Sequence, residues 1–134
     1  MARRRHLSRI AVMQVLFELE RRPARDTQAS LRRVLSELNE ADEAFAQELL
    51  TGVLDHRDHL REVIQIHAPG WSMERMDPIS RCVLTIGCYE LLHRSDVPPA
   101  VVMDEAIDIA KEYGSAEGGK FVNGVLNAIA KGAH

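Results

Sequence analysis

Asp77-Pro78-Ile79-Ser80-Arg81-Cys82-Val83-Leu84-Thr85-Ile86-Gly87-Cys88-Tyr89-Glu90-Leu91-Leu92-His93-Arg94-Ser95-Asp96-Val97-Pro98-Pro99 opens, fills and closes one helix. Asp77 can accept hydrogen bonds from the open amides of a first turn, and Pro78 suits the first helical position because an N–H there would have no helical partner. Ile79, Cys82, Val83, Ile86 and Tyr89 then recur at the spacing that gathers side chains on one helix face. The helix must end near Arg94-Ser95, because Pro98 disfavours helical geometry at Val97 and Pro98-Pro99 restarts the chain.

The same reading extends in both directions. Downstream, Val102, Ala106, Ile109 and Tyr113 form the buried stripe of a helix that Gly114 can cap. Ser115 then serves as N-cap of a last helix with Phe121, Val122, Val125, Leu126 and Ile129 on one side. Upstream, Leu7, Ile10, Ala11, Val15, Leu16 and Leu19 make one stripe, and Leu31, Val34, Leu35 and Leu38 a second. A longer segment runs from Phe45, Leu49, Leu50, Val53 and Leu54 through Leu60, Val63, Ile64 and His67 until Pro69-Gly70 stops it. Ser72 can cap a short turn carrying Met73 and Met76. No stretch alternates as a strand would, so the expectation is all-α: a compact bundle of about seven helices in two packed halves, joined through the long middle segment.

A chain of 134 residues fits one domain, 1–134, large enough to bury a core without disulfides or a structural metal. Cys82 and Cys88 lack metal-ligand or redox spacing and read as reduced packing residues. No run reaches the ~18 apolar residues of a membrane span, and Arg5 leads straight into an amphipathic pattern, so a cytoplasmic protein with no membrane association is expected. The net charge of −3 conceals an asymmetry: residues 1–33 carry nine Arg against three acids, and the remainder eight Lys and Arg against seventeen acids. Such a layout suits a basic surface for phosphates on an acidic body.

Arg3, Arg4, Arg5, His6 and Arg9 crowd the start of the first helix, where cations oppose the helix dipole. That local cost favours a partner, and arginine suits RNA because its planar fork pairs with phosphate and stacks on unpaired bases. Gly114 to Lys120 matches the Gly-x-x-x-x-Gly-Lys skeleton of a phosphate loop, but it follows a helix, and Phe121 stands where a magnesium-binding hydroxyl belongs. Asp55, His56, Asp58 and His59 cluster at helical spacing without a third helix-borne ligand, so no metal is expected. No nucleophile, base or carboxylate pair has a catalytic arrangement, which argues against an enzyme and against a cofactor. Asn123-Gly124 breaks helix propensity and is expected to mark a close helix approach.

Tyr89-Glu90-Leu91, Asp96-Val97-Pro98, Asp104-Glu105-Ala106 through Ala110-Lys111, Tyr113-Gly114 and Lys120-Phe121-Val122-Asn123-Gly124-Val125-Leu126 together make an ordered string that resembles the NusB family of bacterial transcription antitermination factors. Arg4-Arg5, Arg9, Gln14, Leu16 and Phe17 extend the likeness to the amino terminus. Phe17 replaces the usual Tyr, and Met103-Asp104-Glu105 replaces Ile-Asn-Glu. The resemblance implies an RNA-binding adaptor for boxA, a single-stranded element of ribosomal RNA transcripts. It would act with the ribosomal protein NusE inside an RNA polymerase antitermination complex.

On that resemblance Arg3, Arg4, Arg5 and Arg9 meet the RNA backbone, Gln14 reads a base edge, Lys120 adds a phosphate contact, and Phe17 and Phe121 either stack on bases or pack in the core. NusE, being basic, is expected on the acidic half, with Glu74, Arg75, Asp77 and Arg81 as candidate contacts and Tyr89 and Glu90 beside them. A homodimer, a protein-binding scaffold and the RNA-binding domain that precedes some ribosomal RNA methyltransferases stay open as alternatives. No cofactor-binding sequence follows His134, which favours the freestanding factor.

Overall fold

A computed structural model describes residues 2–132, with side chains from Arg3 onward; Met1, Ala133 and His134 lie outside the described residues. Seven α-helices and one 3-10 turn make up the regular structure of these residues, with no strand among them. The chain sorts into two compact units, one up to Gly52 and one from Val53.

The first unit holds α1 (Ala2–Arg21), α2 (Thr27–Glu37) and most of α3 (Glu43–Asp55). Asp26 starts α2 by accepting hydrogen bonds from the amides of Gln28 (3.0 Å) and Ala29 (3.2 Å). α1 packs on α2, and Arg33 pairs with Glu18 across them while the Arg25 Nε lies 3.5 Å from the same carboxylate. The Arg33 hydrogen bond holds the Glu18 carboxyl below its ordinary value despite partial burial. The loop before α3 is fastened to the start of α1: the Asp42 amide donates to the Arg4 carbonyl (3.2 Å), and the Ser8 hydroxyl reaches the Asp42 carbonyl (2.7 Å). The Asp42 carboxylate in turn caps α3 by accepting from the Phe45 amide at 3.0 Å.

The second unit holds α4 (Arg57–His67), the 3-10 turn Met73–Arg75, α5 (Pro78–His93), α6 (Pro99–Tyr113) and α7 (Ala116–Gly132). α5 is its centre, burying Cys82, Val83, Leu84, Ile86 and Cys88 and packing on α4, α6 and α7. Two caps fall where the sequence places them: Asp77 accepts from the Ser80 amide (2.9 Å), and the Ser115 hydroxyl accepts from the Gly118 amide (2.9 Å). Ser72 does precede the 3-10 turn, but its side chain makes no capping hydrogen bond, which corrects that expectation. Gly87 lets α5 and α7 close, since a Cβ there would lie 2.8 Å from the Leu126 Cδ1. Gly70 turns the chain after α4 at a φ of 86°, which L side chains rarely adopt.

Two further expectations are corrected. The middle segment is not continuous: α3 ends at Asp55, α4 begins at Arg57, and His56 leaves helical geometry at φ −116° and ψ 18°. The break seats the His56 ring 4.3 Å from His93 and 5.9 Å from Tyr89, both on α5. Asn123-Gly124 does not mark a close helix approach, because both residues are exposed and a Cβ on Gly124 would meet nothing within 4 Å.

Candidate nucleic-acid interface

In the first unit the basic cluster rests on an aromatic ring. α1 has no acid in its first turn, and Arg3 and Arg4 are exposed, the Arg4 Nε donating to the Glu40 carbonyl at 3.3 Å. Arg5 and Arg9 are one helical turn apart and both place their guanidinium over Phe45, at 4.4 Å and 5.0 Å from the ring centre. Such contacts contribute about 0.5–1 kcal/mol at an exposed site and ~2 kcal/mol when desolvated. Arg5 is half-buried and keeps a face to solvent. Arg9 is only 3% exposed. That burial makes Arg9 a support for the ring and for Arg5, not an open phosphate contact, which corrects the sequence reading.

Gln14 and Phe17 follow on α1, both half-buried, with the Arg21 guanidinium 5.9 Å from the Phe17 ring. By its spacing Phe45 belongs only to the core; its second role as a platform depends on two arginines from another helix. The Arg5 to Arg9 interval is the one trace of it in the sequence.

The second unit carries a separate basic and aromatic corner at the start of α7. Lys120 is exposed, and its Nζ lies 4.0 Å from Glu117, a solvent-screened pair of little energetic weight. Phe121 is half-buried and meets Trp71 edge to face, the ring centres 5.6 Å apart. Gly118 and Gly119 let this turn sit close to α5 and α6, since added Cβ atoms would meet the Ser80 Oγ at 3.1 Å and the Lys111 Cγ at 2.7 Å. Trp71, to which the sequence alone gives no role, is the chain's single tryptophan and lies exposed just after the Gly70 turn.

The residues expected to meet a protein partner divide by burial. Glu74, Arg75 and Asp77 are exposed, Glu74 pairing with Arg61. Arg81 is half-buried and donates to the carbonyls of Met73 (2.8 Å) and Met76 (2.7 Å), so its guanidinium holds the 3-10 turn in place. Tyr89 is half-buried and stacks on His93 at 5.1 Å. Glu90 is 1% exposed and offers no surface to a partner, a second correction. Burial first, then the charges of His56 and His59, holds His93 below the ordinary histidine value. Among the described residues no cluster of His, Cys, Asp or Glu is arranged to hold a metal, and no helix is long and apolar enough to cross a membrane.

Comparison with known proteins agrees on one family. The family model described as NusB family matches residues 6–131. Proteins named transcription antitermination protein NusB are 39% identical over 128 residues in Desulfitobacterium hafniense, covering 93% of this chain and 86% of the relative. In Myxococcus xanthus the figure is 37% over 131 residues, covering 94% of each. The solved structure of T. maritima NusB superposes with a TM-score of 0.88 at 36% identity, covering 96% of this chain and 92% of that one. A crystal structure of antitermination factors NusB and NusE in complex with double-stranded RNA contains a chain that matches with a TM-score of 0.88 at 28% identity, covering 98% of this chain and 99% of its counterpart.

Proposed function

The chain belongs to the NusB family, and on that premise we propose that it is a transcription antitermination factor that binds the boxA element of ribosomal RNA transcripts together with NusE. It acts by binding alone, as an adaptor that helps RNA polymerase pass termination signals. The observation that carries the reading is the opening of α1, where Arg3, Arg4 and Arg5 gather without an acid in the first turn and two guanidiniums share the Phe45 ring. Cations there oppose the helix dipole, a cost that an anionic ligand reverses. Arg5, Arg4 and Arg3 supply phosphate contacts, and Gln14 and Phe17 a base edge and a stacking face. In the second unit Lys120 and Phe121 add a contact of each kind.

NusE takes the acidic second unit, where Glu74 and Asp77 are open to a basic partner. Each interface alone is weak and salt-sensitive, and two linked contacts raise affinity without requiring either to be strong. That a relative was crystallised with both NusE and RNA supports a chain that meets the two partners together.

Anisotropy of a short labelled boxA RNA and of a scrambled control, with and without NusE at two salt concentrations, tests the reading. Preferential binding of boxA that tightens when NusE is added is expected. Equal, weak binding of both RNAs whatever the partner would reduce the arginines to a general basic patch and favour a protein-binding scaffold.

A further inference from the structure

Two residues near Phe121, Gly124 and Trp71, are left open to solvent. Gly124 sits in the interior of a 17-residue helix, where glycine costs roughly 1 kcal/mol relative to alanine. Gly87 offsets that cost by admitting Leu126, but a Cβ on Gly124 would meet open space. Trp71, the largest apolar side chain available, is left 47% exposed beside Phe121. The two rings meet at 62° and so form two walls of a corner. The cleft in front of them measures about 530 Å³ and is also lined by Met76, Ser115, Gly118 and Lys120. Its size falls within the roughly 300–1,000 Å³ of small-molecule sites.

The charge of the walls selects what can enter. Asp77 and Glu117 also border the cleft. The Asp77 carboxylate is committed to the Ser80 amide and hydroxyl, and Glu117 lies beside Lys120. A phosphate would meet these carboxylates, whereas a neutral flat ring would meet two aromatic walls and a methionine. Further cations adjoin the corner: Arg75 is 5.9 Å from the Trp71 ring. Lys120, Gly124, Asn127 and Lys131 follow one another at intervals of four, three and four residues, which aligns them on one exposed face of α7. Asn123 flanks that face, and no acid lies between Lys120 and Lys131 on it. It offers no apolar anchors for a peptide, only amides, cations and bare backbone.

We propose that the Trp71–Phe121 corner takes one unpaired nucleobase of single-stranded RNA and that Gly124 is the notch against which the ribose-phosphate of the same strand lies. Gly124 is three residues beyond Phe121 and four beyond Lys120, so it adjoins both on the helix surface. A strand whose base turns into the corner passes over this turn, and the missing side chain lets its backbone approach the helix. Asn123 and Asn127 flank the path with donors and acceptors, and Lys120 and Lys131 stand at its two ends. The inference rests on the RNA-binding reading above and adds to it Trp71, Gly124, Asn127 and Lys131.

The single tryptophan makes the test direct, because all indole emission comes from Trp71. A short unstructured boxA RNA is titrated into the full chain while Trp71 emission and the anisotropy of an RNA label are followed together, for the natural sequence, Gly124→Ala and Trp71→Leu. Emission is expected to fall in step with the rise in anisotropy. Gly124→Ala should melt a few degrees higher, about 3–5 °C, because it gains helix propensity without a clash. It should nevertheless bind RNA about tenfold more weakly. Trp71→Leu should lose about tenfold or more, the effect of unstacking one base. A rise in anisotropy with unchanged Trp71 emission, or natural affinity in Gly124→Ala, overturns the inference and leaves the RNA-binding reading standing. No rise in anisotropy for the natural sequence removes both.

Discussion

Arg5 and Arg9 look equivalent in the sequence, and replacing each by alanine should separate them. Arg9 is 3% exposed with its guanidinium 5.0 Å from the Phe45 ring centre. Arg9→Ala removes a desolvated cation–π interaction together with the packed stem, a destabilisation of about 2 kcal/mol. In a chain of 134 residues that lowers Tm by roughly 6–10 °C. Arg5 stands closer to the ring, at 4.4 Å, but is only half-buried. Its interaction belongs to the exposed class, about 0.5–1 kcal/mol, so Arg5→Ala should lower Tm by no more than about 5 °C. Arg5→Ala should instead weaken RNA binding and reduce the slope of log K against log salt by about 0.7, as expected when a single-stranded ligand has one fewer phosphate neutralised by the protein. Phe45→Leu keeps an apolar side chain but removes the π face, and should shift both quantities. Thermal unfolding by circular dichroism and anisotropy at several salt concentrations measure the two effects. Arg9→Ala that keeps its Tm while flattening the salt slope, or equal slope changes from both arginines, would refute the reasoning.

Three further outcomes follow from the packing. Gly87→Ala gains about 1 kcal/mol of helix propensity but sets a Cβ 2.8 Å from Leu126 in a closed core, where overpacking costs about 1–3 kcal/mol. It should destabilise by about 1 kcal/mol yet stabilise in a Leu126→Ala background; urea unfolding that gives the same sign in both would contradict the close approach. Burial and the neighbouring His56 and His59 hold the His93 pKa below 6.5, so the unfolded chain takes up that proton first. The histidine's contribution is therefore intact above pH 6.5 and lost as pH falls through the folded-state pKa, and His93→Gln should flatten that decline in urea midpoints. Cys82 and Cys88 are buried, and burial pushes the Cys88 thiol up to about 12. A thiol reagent should label neither cysteine until the protein unfolds, and prompt labelling of the native chain would show an open core.

Local chemistry is what the sequence displayed openly. α5 begins and ends where Asp77-Pro78 and Val97-Pro98-Pro99 require, and Ser115 caps α7, because caps and prolines act on residues next to them. The break at His56 was hidden, since no glycine or proline marks it and the apolar spacing continues through it; it coincides with contacts to rings on α5. The burial of Arg9 was hidden for a similar reason: a cation so close to the chain start looks solvated until Phe45 of α3 is brought under it. Asn123-Gly124 misled in the opposite sense, because a helix-interior glycine usually signals close packing and here faces open space. The basic character of α1 was legible from charge alone, while the Trp71–Phe121 corner required two segments fifty residues apart to fold together.

The most direct test of the account is transcription itself. Purified RNA polymerase would transcribe a template bearing boxA upstream of a terminator, with NusE and the remaining antitermination factors, in the presence or absence of this protein. The account predicts that adding the protein raises the fraction of transcripts that pass the terminator, and that scrambling boxA abolishes the gain. Read-through that is the same without the protein, or the same on the scrambled template, would contradict it.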